Sequence, residues 1–138
     1  MKVLKFGGTS VGSPERIEQL LPIIKSQVSD QHLVVLSAVS GTTNDLVQLS
    51  AFYEKKDIEG AHQHIDVLYE KYKVFVQQLF KTEEGTEEAL AFIDKIFDLF
   101  YQFKNKNFNA SAERVILAQG EIISTTLFHL HLKENNSW

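Results

Sequence analysis

VLKFGGTSVG, Val3 to Gly12, joins a short apolar run to two adjacent glycines through Lys5 and Phe6. Lys2 to Phe6 predicts a strand. The glycines after it let the chain turn sharply and expose backbone N–H groups beside an ammonium, an arrangement suited to phosphate oxygens. The next stretch, SPERIEQLLPIIKSQVSD, predicts a helix with Ser13 as N-cap, Pro14 in the first helical position and Glu15 in the first turn. Pro22 within it removes one helical hydrogen bond and predicts a kink near Glu18 to Leu21. HLVVLSAVSG then reads as a second strand, a continuous apolar run of the kind covered on both faces in a parallel sheet. Strand, helix, strand implies a right-handed βαβ unit. Such a unit brings the GGTS and SAVSGTTN turns to one edge of the sheet, where ligands of open α/β sheets sit.

The whole chain has 138 residues, 43% hydrophobic and 23% charged, enough for one domain-sized core. With no cysteine it has no disulfide framework or thiolate metal site, and a net charge of -4 gives no global basic field for nucleic acid. Neither a signal core nor a membrane-length apolar run is present, so a soluble, cytoplasmic protein is expected. After Gly41, four segments repeat apolar residues at helical spacing, with polar breaks near Asp57, Lys81 to Gly85 and Lys104 to Asn109. Two strands cannot make a doubly wound sheet, and KENNSW ends where such a pattern would begin its next strand. The expectation is that residues 1–138 form the front portion of a longer protein and do not turn over substrate by themselves.

Three motifs, KFGGTSVG, VVLSAVSGTTNDL and GEIIST, in this order, resemble aspartate kinase, a member of the amino-acid kinase family. The opening MKVLKFGGTSV also resembles that of the bifunctional aspartate kinase–homoserine dehydrogenases. The resemblance implies an α/β fold, the N-terminal part of a three-layer αβα sandwich, helix-rich in this segment. It implies transfer of the γ-phosphate of ATP to the β-carboxylate of L-aspartate, the first step toward lysine, methionine and threonine. Magnesium would arrive with ATP, and no tightly bound cofactor is expected. Independently of the resemblance, the incomplete sheet leaves an open edge and an uncovered apolar face, so a homo-oligomer is expected, while charge and composition point to no nucleic-acid or membrane partner. No P-loop pattern is present; here the lysine precedes the glycines.

Lys5 supplies a point charge for phosphate, and Gly7, Gly8, Thr9 and Ser10 form the expected cradle. A solvated lysine at a simple Gly-Gly turn is the bland alternative. Ser37 and Thr43 match the family's aspartate-contacting positions; taken alone, such residues also serve as ordinary loop and helix caps. Glu121 matches the glutamate that binds the substrate's α-ammonium, and beside Gly120 it is expected to be largely buried. Spacing alone makes an exposed helix glutamate, supporting Arg114 or its own helix, the commoner case. His62 and His64, like His129 and His131, are two apart and point to different sides of a helix, so no metal site is expected. FIDKIFDLFYQF reads as core, and KTEEGTEE as an acidic loop. Two other readings stay open: a relative acting on a different carboxylate or carbamate, and a non-catalytic helical interaction module.

Overall fold

The structure is a computed structural model that describes residues 1–27, 31–105 and 107–137. Strands β1 (Lys2–Phe6) and β2 (His32–Leu36) pair in parallel, with Val3 opposite Leu33 and Lys5 opposite Val35. Helix α1 (Pro14–Ser26) joins them. Its start is the one that the sequence predicts: Ser13 is extended, with φ -150°, and its Oγ accepts the Arg16 N–H at 3.3 Å. The helix runs through Pro22, and Gln27 N–H donates to the Ile24 carbonyl at 3.0 Å just past its end. The predicted last residues of this helix, 28–30, lie outside the described residues.

Side chains alternate across a strand, so Leu4, Phe6, Val34 and Leu36 share one face and pack into the core. The other face carries Val3, Lys5, Leu33 and Val35, and it is open, with Val3 60% and Leu33 54% exposed. This corrects the reading of β2 as covered on both faces. Its apolar run is the same, but the helices of this chain stack on one side of the sheet.

The four expected helices are α2 (Thr42–Glu54), α3 (Ile58–Leu79), α4 (Glu83–Tyr101) and α5 (Ala110–Glu134), with a short 3₁₀ turn at Gln102–Asn105. They pack mainly on one another, α3 against α4 and α2 against α5, while α5 also supports β2. Ile65, Tyr72 and Val76 of α3 meet Ile93, Phe97 and Phe100 of α4 in the core, as the 3.6-residue spacing demands. The Tyr53 hydroxyl donates to the Phe100 carbonyl at 2.6 Å and ties α2 to the end of α4. Among the described residues no helix is long and apolar enough to cross a membrane.

KTEEGTEE is the start of α4, not a loop. Thr82 Oγ1 accepts the Gly85 N–H at 3.0 Å, and the acidic residues occupy the first turn, where the helix dipole favours negative charge. Glu134, from the far end of α5, completes the cap: its Oε1 accepts from Lys81 N–H at 3.0 Å, Thr82 N–H at 2.7 Å and Thr82 hydroxyl at 2.8 Å.

The histidines separate as their spacing predicts. His64 Nε2 lies 2.7 Å from the Asp45 carbonyl, whereas His62 sits edge-on to Tyr101. His129 is exposed and His131 is buried beneath Phe80. Burial holds His131 below the usual histidine pKa, opposed by Glu134 and Glu18 and assisted by Lys81. The unfolded chain therefore takes up a proton near pH 6.5 that the folded chain refuses, so stability is full above that pH and declines as pH falls below it. The unfolding free energy from urea titrations should drop between pH 7.5 and 5.5, by no more than about 1.4 kcal/mol per pH unit for one proton. His131→Phe should remove that part of the decline; an unchanged slope would place the titrating group elsewhere.

Candidate functional site

The carboxyl ends of β1 and β2 open into two loops that touch. The first, Gly7 to Gly12, folds on itself, its Gly7 carbonyl accepting from Ser10 N–H at 3.0 Å and Val11 N–H at 3.3 Å. Ser10 N–H is thus used internally, which removes this backbone donor from the expected cradle. The N–H groups of Gly7, Gly8 and Thr9 donate to no backbone carbonyl among the described residues. A Cβ placed on Gly7 would meet nothing within 4 Å, while one on Gly8 would lie 2.9 Å from the Ala38 carbonyl oxygen. Gly8 is therefore required by the close approach of the two loops, and Gly7 faces open space.

Lys5 is exposed on the open sheet face, one residue before the end of β1, and has no ion-pair or hydrogen-bond partner among the described residues. An uncompensated ammonium beside free N–H donors is what an anionic ligand requires.

The second loop begins at Ser37, whose N–H donates to the Phe6 carbonyl at 3.1 Å. It ends at Gly41, in the left-handed region with φ +85°, which serves as N-cap of α2. Thr42 is fully buried, its Oγ1 2.5 Å from the Tyr72 hydroxyl. Burial pushes the Tyr72 phenol up to about 12, so it keeps its proton. Thr43, the second residue of α2, is exposed in the first turn, where helix N–H groups lack intrahelical partners. Lys71 reaches from α3 to within 3.5 Å of Asp45 in that same turn.

Helix α5 closes the site from the other end of the chain. A Cβ on Gly120 would lie 3.0 Å from Ala38 Cβ, 3.6 Å from Leu46 and 3.7 Å from Thr42, so the bare glycine lets the helix rest flush on the loop. One turn on, the Ser124 hydroxyl donates to the Ser37 carbonyl at 2.7 Å. These contacts set Glu121 beside Ser37 and the start of α2. Glu121 is nevertheless exposed, and this corrects the expectation of a largely buried carboxylate. The buried stripe of α5 includes Ile116, Gly120, Ile123, Ser124 and Leu127; Glu121 lies at its edge and forms the rim, while Ile122 faces away from it.

Lys5, Gly7 to Ser10, Ser37, Thr43 and Glu121 thus gather at one end of the molecule, and the fold joins the phosphate-type loop to the hydroxyl-bearing loop. Sequence reasoning placed Ser124 on the same helix face as Glu121 but gave it no partner, and it missed Tyr72. Ser124 was visible within GEIIST, yet nothing local in that string names Ser37 as its acceptor. Among the described residues no group of three or more histidine, aspartate or glutamate side chains is placed to share a metal.

Comparison with known proteins follows the same lines. A model of the amino acid kinase family matches residues 1–136. The aspartokinase of Rickettsia prowazekii is 53% identical over 49 residues, 34% of this chain and 11% of that protein. The aspartate kinase of Pseudomonas putida is 56% identical over 50 residues, 35% of this chain and 12% of that protein. Two crystal structures of E. coli aspartokinase III resemble the whole fold: one in complex with aspartate and ADP (TM-score 0.72, 27% identity, 99% of this chain), the other with lysine and aspartate (TM-score 0.73, 26% identity, 100% of this chain). The chain spans 29% and 30% of those two chains, less than a third of their length.

Proposed function

Because the chain belongs to the amino acid kinase family, we propose that residues 1–138 are the N-terminal portion of the catalytic domain of an aspartate kinase, which transfers the γ-phosphate of ATP to the β-carboxylate of L-aspartate. The observation that carries the reading is the junction of the two loops at Gly8 and Ala38, with the exposed Lys5 on one side and the Glu121 turn of α5 on the other. The similarity to a solved aspartokinase that holds aspartate and ADP supports it.

In this reading Lys5 and the N–H groups of Gly7, Gly8 and Thr9 hold phosphate oxygens, with the Ser10 hydroxyl at the same turn. Ser37 and Thr43 receive the substrate's carboxylate oxygens, and Glu121 pairs with its ammonium. An oxygen of the substrate's own β-carboxylate attacks the γ-phosphorus, the bond to the bridging oxygen breaks, and ADP leaves with the electron pair. No protein nucleophile takes part, so the residues position the reactants and stabilise charge. Magnesium accompanies ATP as part of the substrate. The product belongs to the first step toward lysine, threonine and methionine, and the enzyme acts in the cytoplasm as a homo-oligomer.

The test is aspartate-dependent ADP release by the complete enzyme, with the acyl phosphate trapped by hydroxylamine. Release driven equally well by another carboxylate or by carbamate would replace aspartate as the substrate. The 138 residues alone should give no turnover above background, since half a site recovers little of the ordering cost of binding. Glu121→Gln should raise the KM for aspartate about tenfold, roughly 1.5 kcal/mol for one charge-assisted hydrogen bond at an exposed rim, and leave the KM for ATP unchanged. An unaltered aspartate KM would remove Glu121 from the pocket.

A further inference from the structure

We infer that Ser124 is a positioning residue for the amino-acid pocket, a latch that fixes Ser37 and Glu121 relative to each other; the inference rests on the aspartate kinase reading above. Ser124 is 3% exposed, and its single hydroxyl proton has two carbonyls within reach. The carbonyl of Ser37 lies at 2.7 Å and that of Glu121 at 3.2 Å, so the proton goes to Ser37 while the oxygen stays against the backbone of Glu121. One side chain therefore touches the main chain of both residues assigned to the substrate, across 87 positions of sequence in the Ser37 case.

The mechanical consequence follows from the other bonds of Ser37. Its N–H is held by the Phe6 carbonyl at 3.1 Å, one residue after Lys5. With the carbonyl also held, the peptide groups on both sides of Ser37 are fixed, and with them the direction in which its side chain leaves the backbone. Gly120 supplies the second point of the latch, its Cα side resting on Ala38, Leu46 and Thr42. A β-carbon there would meet Ala38 Cβ at 3.0 Å, so the helix could not lie flush without a shift, and the Ser124 bond would lengthen with it. Among the described residues Ser124 makes no hydrogen bond to Lys5 or to the Gly7 to Ser10 turn, so its direct effect falls on the half of the site that receives the amino acid.

The volume-matched pair Ser124→Thr and Ser124→Val isolates the hydroxyl. In the complete enzyme the valine variant should raise the KM for aspartate about tenfold, the value of one lost hydrogen bond of about 1.4 kcal/mol, while the KM for ATP stays within twofold and threonine restores the aspartate KM. In the 138-residue chain, the Ala38 amide nitrogen, which reports on hydrogen bonding at the preceding carbonyl, should shift in the valine variant and return in the threonine variant. Equal aspartate KM values for the two variants would overturn the proposal while leaving the kinase reading intact. Absence of aspartate-dependent turnover in the unmodified enzyme would instead overturn the kinase reading. An Ala38 resonance that does not respond, or a valine variant that loses fold and both KM values together, would make Ser124 an ordinary structural contact.

Discussion

Lys5→Ala is expected to lower kcat of the complete enzyme by between tenfold and a thousandfold, with a smaller change in the KM for aspartate. Phosphoryl transfer spreads negative charge over the equatorial oxygens, and a point cation matters most at that stage. At ~4 Å and an effective dielectric of ~20, an ammonium and one negative charge interact by about 4 kcal/mol before desolvation is subtracted. Half of that already corresponds to more than tenfold in rate. Because Lys5 is exposed and has no partner among the described residues, its removal should leave the urea midpoint in place. That combination separates a catalytic from a structural lysine. Unchanged kcat would return Lys5 to the role of a solvated strand end, and Lys5→Arg is not a neutral control, since a planar guanidinium replaces a compact charge.

The second large effect concerns stability. Phe100→Ala should cost about 3–5 kcal/mol, a sizeable part of the total for a domain of this size. Phe100 is fully buried at the end of α4, its ring 5.2 Å from that of Phe97 and nearly perpendicular to it. Neighbouring helices cannot collapse into the space, because the Phe100 carbonyl is itself pinned by the Tyr53 hydroxyl at 2.6 Å. Val67→Ala, at a position 71% exposed on α3, provides the comparison and should change stability by less than about 0.5 kcal/mol. Equilibrium urea unfolding of the two variants decides the matter; a loss below about 1.5 kcal/mol for Phe100→Ala would mean that the α3–α4 core is looser than described.

Much of the candidate site was legible because its residues are local signals. Lys5 and the two glycines announce themselves within one turn, and the SAVSGTTN string places Ser37 and Thr43 at the end of a strand and the start of a helix. Glu121 was legible as a member of α5, yet its exposure was not. Periodicity showed that one side of α5 is apolar, and Gly120 beside Glu121 suggested a buried neighbour; the helix in fact rests on Gly120 and turns Glu121 outward. Likewise, the apolar run of β2 reads as a doubly covered strand, whereas Leu33 and Val35 face open space. A strand's sequence records the environment it suits, and only the packed neighbours decide which face they reach.

The acidic start of α4 marks the same boundary. Thr82, Glu83 and Glu84 are a helix start by local rules, but part of their cap is Glu134, 52 residues away from Thr82. What the sequence determined by itself is therefore the set of elements, their order, and the edge at which the candidate residues gather. These rest on backbone preferences and spacing that act over three or four residues. The tertiary structure alone decided that Gly8 meets Ala38, that Ser124 holds Ser37, and that Glu121 stands at the rim. Those contacts join chain segments tens of residues apart, and their partners are chosen by how buried helices fit together, a choice in which each local string is only one side.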